Sequence, residues 1–292
     1  MTPAVLLPCV HNVHLWRKYP GLQLELRSLA AQSTAELPLG ADAVPAHIAQ
    51  HPEFQARRRA FEARCEQGTA FNGAVWVGHD ITMVPGGAIL RCRPGWYGDV
   101  LAAGQCYERG LLRSNWRAQP HWPFASVGVN TSVITHEGLV LVGQRSPTMG
   151  KWPGAWFVEF GEGLGPGDEG SMQVCALRCL QEELGLRRNA LEQVSAMVQL
   201  WAFGVEHGYL GWAGFAVADF RGAGERFSAQ ALLSQQHRAH DSWEASNLQA
   251  LPLSSLPEFL AGKPLVASTE LSLSLLHEAM SRRPAVLTSS ST

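Results

Sequence analysis

Eleven residues with five glycines, GEGLGPGDEGS at 161–171, pass directly into helical spacing, and this junction constrains the fold more than any other part of the chain. Glycine lets the backbone approach a ligand closely. From Met172 to Leu184 the residues Val174, Leu177, Leu180 and Leu184 recur at helical steps, which predicts one helix with a buried stripe. Ser171 is the expected N-cap, and Gly185 stands where a helix commonly ends. Before the junction, SVGVNTSVIT (126–135) and GLVLVGQRS (138–146) read as strands around a turn at His136-Glu137. A proline- and glycine-punctuated loop (147–154) and the short strand AWFVEF (155–160) follow. After it, 194–206 and 209–220 read as long strands around His207-Gly208. A helix near Ala229 to Gln236, a short strand near Leu248 to Leu251 and an amphipathic helix from Thr269 to Arg283 complete this half, with TSSST as a frayed tail.

The predicted helix carries the chemistry. Arg178 and Glu182 are four residues apart and share a face, with Glu183 one step further round, so the arginine can orient one carboxylate while both project from one rim. Hard divalent cations take such oxygen ligands, completed by substrate phosphates and water. The plain alternative is a solvated charged face. Cys175 and Cys179 are one turn apart and read as small buried hydrophobes rather than a redox pair. His237, His240 and Asp241 have ligand-like spacing, but histidines among polar loop residues are usually just exposed.

The order strand, strand, Gly-rich loop, helix with RCLQEELGL (178–186), two strands and a final helix resembles the Nudix hydrolase family, whose signature is GX5EX7REUXEEXGU with U aliphatic. Arg178, Leu180, Glu182, Glu183, Gly185 and Leu186 fall on matching positions, and the resemblance covers about residues 124–283. It implies an α/β (α+β) fold, a Nudix-type α/β/α sandwich with a mixed sheet at 123–286. A smaller α+β N-terminal region (1–122) precedes it, and a disordered tail (287–292) follows. It also implies hydrolysis of a nucleoside diphosphate linked to another moiety, with Mg²⁺ or Mn²⁺ as cofactor and a small nucleotide-like molecule as substrate. In that reading Glu182, Glu183 and Glu169 are metal ligands. Arg178 and Glu244 join Glu182 and Glu183 as catalytic residues, and Arg145, at the end of the second strand, contacts phosphate.

The departures are equally specific. The glutamate expected after Arg178 is Cys179, and the upstream glutamate position is Gly170, with Glu169 one step away. A thiol is too soft to replace a carboxylate on Mg²⁺. Catalysis then needs fewer ions or a recruited acid, for which Glu162, Asp168, Glu169 and Glu244 are the candidates. The alternative is a catalytically silent Nudix-fold module that binds a ligand or a protein.

The N-terminal half contains a charged helix at 51–68, strands at 72–80 and 86–101 with an aromatic turn, and a proline- and tryptophan-rich connector at 114–124. A long extension before a degenerate Nudix box, carrying Tyr97, Asp99, Val100 and Leu101, resembles the UDP-glucose and UDP-galactose diphosphatases of that superfamily and implies a nucleotide sugar. Trp96 and Tyr97 would stack on the base, at about 1–3 kcal/mol per aromatic face, unless they are interdomain core.

Composition narrows the partners. With 23 basic against 25 acidic residues and a net charge of −2, no whole-chain field holds duplex nucleic acid or an anionic membrane. No signal peptide, spanning run or CxxC pair is evident, so the expectation is a cytoplasmic protein with free thiols. The ten tryptophans leave an interface role open, including a homodimer.

Overall fold

The computed structural model describes residues 13–17, 22–26, 44–68, 70, 72–84, 87–112, 124–149, 151–206 and 211–282. Most of the predicted connector, the His207-Gly208 turn and the tail lie outside them. The strands are β1 (Val13–Arg17), β2 (Leu22–Leu26), β3 (Ala74–Val84), β4 (Gly87–Trp96), β5 (Ala125–Ile134), β6 (Leu139–Arg145), β7 (Trp156–Phe157), β8 (Glu159–Gly163), β9 (Val198–Glu206), β10 (Trp212–Asp219) and β11 (Ala245–Pro252). The helices are α1 (Ala46–Ala49), α2 (Pro52–Glu66), α3 (Tyr97–Glu108), α4 (Met172–Leu184), α5 (Arg188–Val194), α6 (Ala229–Gln236), α7 (Leu256–Leu260) and α8 (Thr269–Ser281).

β5 is the hub, because its β-branched residues are buried along most of its length. It runs parallel to β10 and antiparallel to β8, β6 and β3. The main path is β1-β9-β10-β5-β3-β4-β2, with β6, β7, β8 and β11 joined beside it. The sheet is therefore mixed, and it runs on through β3 into the N-terminal strands. Consecutive β1 and β2 stand at opposite ends of this path. Five residue steps reach at most about 17 Å, whereas six flat inter-strand gaps would need about 29 Å, so the sheet must curl.

Helices cover both faces. One core places Cys175, Ala176, Cys179 and Leu180 of α4 against Val127, Val129 and Val133 of β5. A second packs Leu271, Leu275 and Leu276 of α8 on Ile134, Phe215 and Val217. A third, in the N-terminal region, joins Phe54 of α2, Val100 and Ala103 of α3, and Val77 of β3. The predicted mixed sheet between helices is thus observed.

Several local expectations are corrected. Tyr97 to Leu101 open α3 rather than end a strand; their backbone turns helical directly after Trp96, and Val100 is buried against α2. Residues 194–197 are the end of α5 and a 3₁₀ turn, with the strand starting at Val198. The Gly-rich segment is partly regular: 161–163 belong to β8 and Pro166–Asp168 form a 3₁₀ turn. The buried face of α4 is also rotated from the expected stripe. Val174 is exposed and Leu177 half-buried, while Cys175, Ala176, Cys179 and Glu183 turn inward with Leu180 and Leu184. Small side chains let the helix lie close to β5, and apolar size alone had pointed to the wrong arc.

Candidate active site

The limits of α4 are set by its caps. Ser171 Oγ accepts the Val174 N–H at 3.2 Å, and Gly185 ends the helix with a left-handed φ of 68°, as a C-terminal glycine commonly does. A side chain at Gly185 would also meet the Gln235 carbonyl, 2.9 Å from an ideal Cβ. These caps fix which residues stand at the rim of the sheet.

Arg178 organises that rim. Its Nε and Nη2 donate to the two oxygens of Asp168 at 2.9 and 2.8 Å, Nη2 also donates to the Gly163 carbonyl at 2.6 Å, and Nη1 lies 3.1 Å from Glu162 and 3.0 Å from Glu182. Asp168 is 1% exposed, so its charge is compensated by this planar fork and by the Gly165 N–H at 2.7 Å. Hydrogen bonding to Asp168 and the neighbouring carboxylates keep the guanidinium charged.

Oxygens of Glu162 on β8, Glu182 on α4 and Asp241 in the loop after α6 all lie within 4.8 Å of one another. The Asp241 N–H donates to the Glu182 carbonyl at 3.0 Å and the Glu244 N–H to the Asp241 carbonyl at 2.9 Å, which ties that loop to the end of α4. Glu183 is 5% exposed, and among the described residues its carboxyl makes no hydrogen bond. Burial pushes its carboxyl up to about 9, reinforced by Glu244, Asp241 and Glu162 and only partly opposed by Arg145. Burial also pushes Glu162 up to about 7; Arg178 opposes the rise and Glu182 adds to it. Glu244 is raised by burial, against the pull of Arg145, whose Nη2 lies 3.6 Å away.

These shifts have a consequence for stability. A carboxyl raised in the fold keeps a proton that the unfolded chain releases, so its cost is absent below the unfolded value of about 4.3, grows with pH and is complete only above the folded value. In EDTA the urea midpoint is therefore expected to fall between pH 5.5 and 8.5, and Glu183→Gln should flatten the fall. A midpoint that rises over that interval in the wild type would contradict the assignment.

Beside the acids is a cavity of about 210 Å³ lined by Arg145, Lys151, Trp152, Tyr97, Asn130 and Glu159, among others. Arg145 Nε donates to the Lys151 carbonyl at 3.1 Å, and the Lys151 ammonium stands 4.0 Å from the centre of the Trp152 ring. Tyr97 comes from the N-terminal region, packed edge-on against Phe61 of α2, and its hydroxyl feels Glu244 and Arg145.

The structure therefore brings Arg178, Glu182, Glu183, Glu244, Arg145 and Tyr97 together. It does not bring Glu169 or Trp96 with them. Glu169 is exposed, with a left-handed φ of 51°, outside the Glu162, Glu182 and Asp241 group. Trp96 ends β4 and does not line the cavity. Of the ligand-spaced trio, only Asp241 joins the acids; His237 and His240 are exposed, and His240 Nδ1 is 2.9 Å from Asp241. Cys179 is fully buried beneath the site, its thiol pushed up by burial and then by Glu183 and Glu162. Lys151, Trp152, Asn130 and Glu159 were not foreseen. The signal available for Glu159 was a lone acid inside the apolar run AWFVEF.

No protein-family model matches the sequence, and no curated protein does. Among solved structures, a Nudix hydrolase from Alicyclobacillus acidocaldarius is similar over 55% of this chain and 96% of its own, at 17% identity and a TM-score of 0.39. The Nudix domain of NrtR from Shewanella oneidensis, complexed with ADP-ribose, is similar over 60% and 97%, at 13% identity and a TM-score of 0.36. The MutT protein from Methanosarcina mazei Go1 is similar over 54% and 96%, at 14% identity and a TM-score of 0.33.

Proposed function

We propose that the protein is a Mg²⁺- or Mn²⁺-dependent Nudix-type pyrophosphohydrolase that cleaves a nucleoside diphosphate linked to another moiety, with a nucleotide sugar as substrate. The observation that carries this reading is the convergence of Glu162, Glu182 and Asp241 under the Arg178 fork, at the edge of a cavity lined by Arg145 and Lys151. The donor set suits a hard cation: all three groups are carboxylates, and the buried thiol of Cys179 is not one of them. The carboxyl of buried Glu183, without a hydrogen-bond partner among the described residues, supplies a further oxygen. Glu169, standing apart, is not included.

When bound, the metal supplies Lewis-acid charge stabilisation and lowers the pKa of bound water. The rest falls to the chain. Arg178 holds Glu162 and Glu182 in place, Arg145 and Lys151 attract the diphosphate, and Tyr97 offers a face to the base. Glu244 Oε2, raised by burial yet within reach of Arg145, takes the proton of the attacking water. Glu162 provides the carboxylate that position 179 lacks.

The test is incubation with Mg²⁺ and separate nucleotide sugars, dinucleotides, ADP-ribose and nucleoside triphosphates, with release of nucleoside monophosphate as readout. Turnover of nucleotide sugars that Glu182→Gln removes is expected. Binding without turnover would select the silent module, which Cys179 favours.

Cys179→Glu is a second expected result. It would place another carboxylate beside Glu183 and Glu162, lowering the thermal midpoint in EDTA. Mg²⁺ should restore part of that loss, and the Mg²⁺ titration of hydrolysis should shift to lower concentration. A variant equally destabilised with and without metal would show that position 179 has no bearing on the site.

A further inference from the structure

The cavity has a second end that the acids and arginines do not explain. On the antiparallel pair of β5 and β8, Asn130 stands opposite Gly161 and Ser132 opposite Glu159, so Asn130 and Glu159 are diagonal neighbours on one face of the sheet. Both line the cavity. Glycines 128, 161 and 163 line it too, and an added Cβ at Gly163 would meet nothing within 4 Å. The floor is therefore open at Gly163, whereas a Cβ at Gly161 would meet the Asn130 amide oxygen at 3.2 Å and one at Gly128 the Glu162 carbonyl at 2.7 Å.

The two polar groups differ in what they already do. Glu159 is 5% exposed and is held by donors alone: the Ser268 hydroxyl at 2.7 Å and the Thr269 hydroxyl at 3.4 Å on one oxygen, and the Val158 N–H at 3.2 Å on the other. The Ser272 hydroxyl adds a further hydrogen bond, and the ionised carboxylate acts only as an acceptor. The Asn130 amide makes no hydrogen bond among the described residues. It can both donate and accept. Trp152 closes the side with a left-handed φ of 50°, a conformation that bulky residues rarely adopt.

A buried acid repels phosphate, so this end suits an uncharged part of the ligand that brings donors. We propose that the Asn130 and Glu159 wall binds the sugar of the substrate, a neutral hexose-type ring whose adjacent hydroxyls donate to Glu159 and exchange hydrogen bonds with Asn130, with Trp152 at its flank. The diphosphate then reaches toward Arg145 and Lys151. Burial pushes the Glu159 carboxyl up to about 7, which fits a site that gains by accepting such donors. This inference rests on the nucleotide-sugar reading above.

The test is calorimetric binding, with Mg²⁺, of the methylene-bridged, non-hydrolysable analogues of UDP-glucose and of UDP. The wild type is expected to bind the sugar-bearing analogue at least tenfold more tightly. Asn130→Ala and Glu159→Gln should each erase most of that advantage while changing affinity for the sugarless analogue less than twofold. Asn130 has no internal bond to lose, so its variant keeps the test valid if Glu159→Gln disturbs the junction of β8 with α8. Equal losses for both analogues, no loss for either, or no wild-type preference for the sugar would each overturn the proposal. Wild-type hydrolysis of UDP-glucose, measured alongside, separates the two readings. Turnover without sugar preference sinks the sugar site alone, and sugar-dependent binding without turnover sinks the hydrolase alone.

Discussion

Arg178→Ala is expected to lower folding stability by about 3–5 kcal/mol, the usual cost of removing one member of a buried ion pair, and to abolish turnover as well. The reason lies in Asp168, 1% exposed, which would keep the Gly165 N–H and the weak Cys175 thiol contact but no cation. Glu162 and Glu182 would lose their shared cation at the same time. Lysine should not rescue the loss, because a point ammonium cannot reproduce the two-pronged contact with Asp168. Adding Asp168→Asn to Arg178→Ala should recover part of the stability, since the stranded charge goes with it. Chemical denaturation of the single and double variants measures this directly. A loss below about 1 kcal/mol in Arg178→Ala, in the range of a surface pair, would show that water reaches Asp168.

Glu182→Gln should lower kcat by roughly 10²–10³-fold, the effect typical of removing one preorganised charge-stabilising group, while stability changes by no more than about 1 kcal/mol. Its carboxylate is 30% exposed and, among the described residues, its ion pair is with Arg178, which keeps Asp168 and Glu162. Glu183→Gln should also lose turnover but gain stability in EDTA at neutral pH, because burial and then Glu244, Asp241 and Glu162 make the fold keep a proton on Glu183 that the unfolded chain releases. Steady-state kinetics with a Mg²⁺ titration, beside melting curves with and without metal, distinguish the two. Near-wild-type hydrolysis in both variants would move the chemistry away from α4.

The parts of the fold legible in the sequence were those decided within a few residues. Ser171 and Gly185 mark α4 because caps act through their own backbone neighbours, and α6 was legible over its full length. The direction α4 faces was not, since that depends on how closely β5 approaches; Cys175 and Cys179 pack there, and the larger Val174 is left outside. Arg178, Glu182 and Glu183 could be named from spacing on one helix. Glu162 could only be one of several loop acids, because its role depends on β8 pairing with β5 beneath α4. Asp241 was masked by two exposed histidines, and nothing local shows that its loop hydrogen-bonds to the end of α4. Tyr97 was named for the site but placed at a strand turn; its position comes from α3 packing on α2.

The curl of the sheet bears on how the chain is made. β1 pairs antiparallel with β9, matching Val13 with Glu206, so during synthesis β1 must wait for about 190 further residues before its partner exists. Translation at about 5–20 residues per second makes that interval roughly 10–40 seconds. During it β2, β3 and β4 can already pair with one another, while β1 presents open backbone donors and acceptors. Closure of the sheet is thus a late, long-range event, of the kind that sets slow folding in proteins dominated by distant pairings. Chaperone demand during synthesis should track this one strand, and deletion of residues 13–17 should shorten the aggregation-prone interval even if it weakens the finished fold.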